Sequence, residues 1–190
     1  DVYKRQEVER EVVRGLQLLR LQTLTSGRTG VRPVVVETYA GLLNAGITPV
    51  VREYGSLGCS GDLAPLAHIA LAAMGEGDVR AADGELVAAS AALSAAGIEP
   101  LTLVEKEGLA LINGTDGMLG MLVLALHDLE TLLLTADMAA AMSVESQMGT
   151  DAVFAADLMA LRPQSGQTES ASNLRSVSYT HLTLPTIYSV

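Results

Sequence analysis

The segment from Thr115 to Gln147 sets the tightest limit on what this 190-residue chain can fold into. Leu119, Leu122, Leu126, Leu129 and Leu133 recur at helical spacing and form one stripe. Met118, Met121, Val123, Leu124 and Ala125 occupy the other sides. A helix apolar all round must be enclosed by other helices, so it belongs in a bundle interior. A membrane span is the competing reading. The longest uncharged run, Gly117 to Leu126, stops at His127-Asp128, short of the ~20 residues a span needs. Asp128, Glu130 and Asp137 then recur along the same segment. The neighbours this helix needs are further parts of the same protein, further subunits, or both.

The remaining pattern is also mainly α. Val8, Val12, Leu16 and Leu19 predict a helix over 7–25. Thr25-Ser26-Gly27-Arg28-Thr29-Gly30 is a polar loop. Pro33 is placed to open a helix that runs to Asn44 and stops at Gly46. Thr48-Pro49-Val50-Val51 reads as extended. Asp62 is placed to cap a helix from Leu63 to Met74, ended by Gly75. Asp83-Gly84 marks a small hairpin. A helix over 88–96, an extended piece over 100–104 and a short helix over 106–112 follow. Thr115 or Asp116 caps the long helix, and a last helix starts near Thr150 and is stopped by Pro163.

Several functions are excluded early. With 12 Lys+Arg against 22 Asp+Glu, the formal charge is −10, which opposes nucleic acid and anionic membrane surfaces. Three of the six aromatics (five Tyr, one Phe) lie in the terminal stretches, leaving little for base stacking. His68, His127 and His181 lack metal-ligand spacing, and a lone Cys excludes a multi-cysteine metal site, so no metal is expected. Asp1 to Gln6 holds no apolar signal core, and a cytoplasmic location is expected. Ser176 to Val190 carries no charge, in a chain 18% charged overall. This tail and residues 1–6 resemble translated sequencing-adaptor read-through and are set aside as non-native scars. The ordinary alternative for the tail is an edge strand. Residues 7–175 are taken as the informative part of one domain, with the prosthetic-group region at 55–75 and the core helix at 116–147.

The chemistry concentrates in Gly55-Ser56-Leu57-Gly58-Cys59-Ser60-Gly61-Asp62, which runs into a helix. It is not the G-x-S-x-G elbow, because position 62 is Asp. Cys59 at a helix start could be a thiolate nucleophile, though a small buried Cys is the commoner use. With the residues that follow, through Leu63-Ala64-Pro65-Leu66-Ala67-His68, the stretch closely resembles the signature of the histidine and aromatic amino acid ammonia-lyases. Thr25 to Arg32 and Leu42 to Pro49 resemble the family segment upstream of the signature, and Lys106 to Thr115 the segment downstream. Leu161 to Gln167 resembles a later one, with Gln164 where the family usually has His. Among family members the likeness is greatest to the bacterial histidine enzymes, and the chain corresponds to an internal fragment of one.

The resemblance implies a helical-bundle ammonia-lyase fold and a prosthetic group made from the chain itself. Cys59-Ser60-Gly61 would cyclise with loss of two waters to a methylidene-imidazolone, in which Ser60 becomes dehydroalanine. The family's first residue is usually Ala, and a small side chain there suits a position that gives only backbone atoms to the ring. Gly61 lacks a Cβ and can be pressed against the preceding carbonyl, where proximity activates a weak amide nucleophile. Helix N-termini around the ring would favour the developing oxyanion. The family's asparagine, which contacts the prosthetic group or substrate, falls on Asn113; a helix C-cap is the plainer use of that residue.

The implied reaction is loss of ammonia from L-histidine to give urocanate, in a homotetramer whose sites are shared between subunits. Phenylalanine or tyrosine lyases and aminomutases are the alternatives within the family. The family's base tyrosine and its carboxylate-binding arginine fall outside the matched segments; Tyr39 and Tyr54 stand in the wrong context for the base. Residues 7–175 alone are therefore expected not to turn over. A non-catalytic helical assembly protein, in which Ser60 merely caps a helix, is the reading from another class.

Overall fold

The computed structural model describes residues 6–58 and 60–182; Cys59 and most of the two terminal stretches lie outside the described residues. The chain divides into two compact units, Asp1–Ala125 and Leu126–Val190. It is mainly helical, as the sequence predicts.

The first unit starts with α1 (Arg10–Thr25), which buries Val12, Leu16, Arg20 and Leu24 along one line, with Val13 and Gln17 beside it. The helix begins three residues later than its apolar spacing suggests. Val8 donates its N–H to the Val51 carbonyl and Glu53 donates to Gln6, so residues 6–8 lie as a short bridge against 51–53. Val8 is buried there as extended chain. Pro33 opens α2 (Pro33–Asn44) as predicted, and the chain turns at Gly46, φ +69°. A Cβ at Gly46 would come within 3.0 Å of the Ala82 methyl.

Strand β1 (Thr48–Pro49) pairs antiparallel with β2 (Asp78–Arg80), which pairs with β3 (Leu86–Ala88) through the Asp83-Gly84 turn. Between β1 and β2 come a 3-10 turn (Glu53–Gly55) and α3 (Leu63–Ala73). Helix α4 (Ala89–Ala95) follows β3 directly. Residues 100–104, expected to be extended, form no strand. Then come α5 (Glu107–Ile112) and α6 (Asp116–Ser146). The core of this unit gathers Leu16, Val35, Leu42, Leu66, Ile69, Val79, Leu93 and Leu111.

The second unit holds most of α6, a 3-10 turn (Asp151–Phe154), α7 (Ala156–Ala160) and α8 (Ser165–Leu182). The predicted single helix ending at Pro163 is thus two short pieces, and α8 was not anticipated. Its sequence, Ser-Gly-Gln-Thr-Glu-Ser-Ala-Ser-Asn, has almost no apolar periodicity. It instead buries Ala171, Leu174 and Ser178 on one face, and Ser170 and Asn173 bind the Asp137 carboxylate of α6. These hydrogen bonds hold Asp137 below the usual carboxylate range. Because α8 continues to Leu182, the start of the tail is helical rather than an edge strand.

The helical stretch Glu107–Ser146 contains an 18-residue window of mean hydropathy 1.7, enough by length and composition to cross a membrane. Leu122, Leu126, Leu132 and Leu133 are each at least half exposed.

Candidate active site

The loop before α3 is fastened by hydrogen bonds rather than by packing. Gly58, at φ +67°, turns the chain back so that its N–H reaches the Ser56 hydroxyl at 3.4 Å, a long and weak contact. Ser56 in turn donates to the Asp62 carboxylate. Asp62 is fully buried, and its second carboxylate oxygen accepts the Met118 backbone N–H at 2.8 Å. Met118 lies in the first turn of α6, where backbone N–H groups have no partner within the helix. Asp62 therefore satisfies the N-terminus of α6 and makes no side-chain cap on its own helix, α3, contrary to the sequence expectation. The reason is geometric: the carboxylate points across to α6, drawn by free amides and the positive helix end.

Of the predicted site residues, Ser60 is exposed and Gly61 is buried. Cys59 lies outside the described residues. Asn113 is exposed at the C-cap of α5, with φ −103° and ψ 104°. The position agrees with a C-cap; the conformation is extended rather than left-handed. The Asp62–Met118 bond joins the residue after Gly61 to a helix that starts three residues beyond Asn113, so the two predicted segments meet at this end of α6.

A further pair joins the upstream and downstream segments. Arg32 donates from its backbone N–H at 3.1 Å and from its guanidinium at 2.9 Å to Glu107, which also accepts the Val104 N–H at 3.0 Å. Glu107 is 1% exposed. The Arg32 hydrogen bond, opposed by burial and helped by the two amides, lowers its carboxyl to about 2.

Sequence reasoning missed the buried cation of α1. Arg20, 2% exposed, donates to the carbonyls of Ala110 and Asn113 at 3.2 Å each and pairs with Asp116. The signal was available: an arginine sits on the line Val12, Leu16, Arg20, Leu24, where every neighbour is apolar. The glycines of the α6 start were missed too. At Gly114 a Cβ would overlap the Arg20 guanidinium; at Gly117 it would lie 3.1 Å from the Asp62 carboxylate. At Gly120 it would lie 3.1 Å from the Val12 carbonyl oxygen and 3.2 Å from the Leu16 nitrogen. Three glycines, each three residues apart, thus admit Arg20, Asp62 and the backbone of α1 in turn.

The two tyrosines set aside on sequence context stand in opposite settings. Tyr39 is 1% exposed, and burial pushes its hydroxyl well above the ordinary range. Tyr54 is exposed. Burial, with the Arg52 charge, lowers His68 below the ordinary histidine value. Among the described residues no cluster of three or more His, Cys, Asp or Glu could hold a metal ion.

The sequence profile described as aromatic amino acid lyase matches residues 4–181. Histidine ammonia-lyase of Streptomyces coelicolor is 63% identical over 170 residues, which are 90% of this chain and 33% of that protein. The crystal structure of histidine ammonia-lyase from Trypanosoma cruzi superposes with a TM-score of 0.84 at 34% identity, covering 92% of this chain and 35% of the other. Phenylalanine ammonia-lyase from Rhodosporidium toruloides superposes with a TM-score of 0.85 at 38% identity, covering 92% and 27%. The chain spans about a third of the length of the curated relatives it matches.

Proposed function

The chain belongs to the aromatic amino acid lyase family, and from that premise we propose that it carries the electrophile-forming part of a histidine ammonia-lyase. The reaction is non-oxidative elimination of ammonia from L-histidine to urocanate. The observation that carries the assignment is the Gly55–Asp62 loop, held at Ser56 and Asp62 and anchored by Asp62 to the amide of Met118. Curated histidine ammonia-lyases up to 63% identical to this chain support histidine as the substrate within the family.

The loop suits the methylidene-imidazolone. Gly61, without a Cβ, is buried, so its nitrogen can approach the carbonyl of residue 59; Ser60 is exposed, and its hydroxyl can depart as water. The group, once formed from Cys59-Ser60-Gly61, supplies an electron-poor methylene that makes the substrate's amine a better leaving group. Asp62 keeps the loop fastened to the start of α6. Asn113 presents an amide that can donate and accept at the same end of the helix. The base and the substrate-carboxylate partner are supplied by residues other than Tyr39 and Tyr54. The exposed leucines of α6 suit a homotetramer in which other subunits cover them.

The experiment uses a protein carrying these residues over the full length of its relatives. Its intact mass should be lower by two waters, ~36 Da. Ser60→Ala should restore the unmodified mass and abolish urocanate release, while Cys59→Ala should retain both modification and turnover. An unmodified mass together with full activity of Ser60→Ala removes the assignment. A Cys59→Ala variant that is modified but inactive would point instead to thiol chemistry.

A further inference from the structure

The electrophile loop does not explain why a charged side chain is buried in the apolar face of α1. Arg20 has three partners, all within the seven residues 110–116: the Ala110 carbonyl, the Asn113 carbonyl and the Asp116 carboxylate. The first two belong to the end of α5, where carbonyls lack partners within the helix. The third belongs to the first turn of α6. A planar guanidinium can serve acceptors in several directions at once; a lysine ammonium on its flexible stem holds them less rigidly. Asn113 lies between the two helices with its carbonyl held by Arg20. Its side chain is exposed and takes no hydrogen bond among the described residues. Gly114, next in the chain, has no side chain because Arg20 occupies that space.

We infer that Arg20 is a positioning residue: by gripping the backbone of the α5–α6 joint it fixes where the Asn113 amide points. The inference rests on the role proposed above for Asn113. It assigns to Arg20 no contact with substrate and no part in forming the ring. Asp116 balances the buried charge and orients the guanidinium, so it belongs to the same device.

A double-mutant cycle in the full-length protein tests this. Arg20→Lys keeps the charge but loses the fork. It should leave the mass deficit of two waters intact and lower kcat/KM by ~10- to 100-fold, the scale expected of a small misplacement of a positioned group. Asn113→Ala should lower it as well. In the Asn113→Ala background, Arg20→Lys should cost less than ~2-fold, because its effect runs through the amide that is gone. The inference is overturned if Arg20→Lys costs nothing, if its cost is the same in both backgrounds, or if it abolishes the mass deficit. If Asn113→Ala retains full activity while Ser60→Ala is dead, the role given to Asn113 fails, and Arg20 with it, but the electrophile stands. Should Arg20→Lys fail to unfold cooperatively, the same cycle with Asp116→Asn decides. Its loss of activity must likewise vanish in the Asn113→Ala background.

Discussion

The first turns of α6 and the rest of that helix are built on opposite plans. Asp116 is 8% exposed, and Gly117 and Gly120 are buried, where polar groups and the backbone of α1 press close. Beyond Met121 the large apolar side chains lack cover: Leu122, Leu126, Leu129, Leu133, Leu134 and Met142 are 45–59% exposed. The well-fixed part is therefore fixed by missing side chains and by charge, and the hydrophobic part stands uncovered. Hydrophobicity along this helix marks surface that must be covered by something else. The anchoring of the site is marked by glycine.

The comparison is most exposed to attack at Gly114. Its replacement by Ala sets a methyl against the Arg20 guanidinium, so the buried ion pair must part. The expected loss is ~3–5 kcal/mol of stability, the usual cost of leaving a buried charge without its partner. Denaturant unfolding measures it, and a loss below ~1 kcal/mol would mean the joint yields easily. Gly120→Ala should cost less, ~1–3 kcal/mol, since two backbones need only shift by tenths of an ångström. Ser143→Ala, at an exposed site on the same helix, should be close to neutral, within ~0.5 kcal/mol.

A pH titration sharpens the contrast from another side. Glu107 has its carboxyl lowered from 4.5 to about 2 in the folded chain. A lowered carboxylate stabilises fully above its unfolded value, and the contribution is lost as pH falls toward the folded value. The thermal midpoint should therefore fall as pH drops from 4.5 to about 2, and Glu107→Gln should flatten that part of the curve. The smallest effect is expected on the uncovered face. Leu133→Gln should change the stability of the chain by itself by no more than ~0.5 kcal/mol. In the full-length protein the same change should weaken the proposed assembly, read by sedimentation. Equal effects in the two settings would mean that face is not an interface.

Helix limits were legible where Pro or Gly punctuates the chain. Pro33, Gly46, Gly75, the Asp83-Gly84 turn and the Asn113-Gly114 break all stand where local chemistry puts them. The glycine-rich loop stood out by its three glycines in eight residues, and Asn113 by its place in a segment that resembles the family's; their roles belong to the proposal above. What was not legible depends on distant partners. Asp62 looks like the cap of the helix it precedes, and only the fold shows its carboxylate turned to Met118. Val8 looks helical, and only its bond to Val51 makes it extended. Helix α8 has too little apolar patterning to declare itself; Asp137 and the buried line Ala171, Leu174 and Ser178 hold it.

The Asp62–Met118 bond also imposes an order of events on a growing chain. Its two ends are 56 residues apart. At a synthesis rate of ~5–20 residues per second, the carboxylate waits roughly 3–11 seconds for its amide. Throughout that interval the Gly55–Asp62 loop has been made but lacks its anchor. The start of the long helix therefore acts as a clock, and any delay in its emergence from the ribosome prolongs the time this segment spends unfastened.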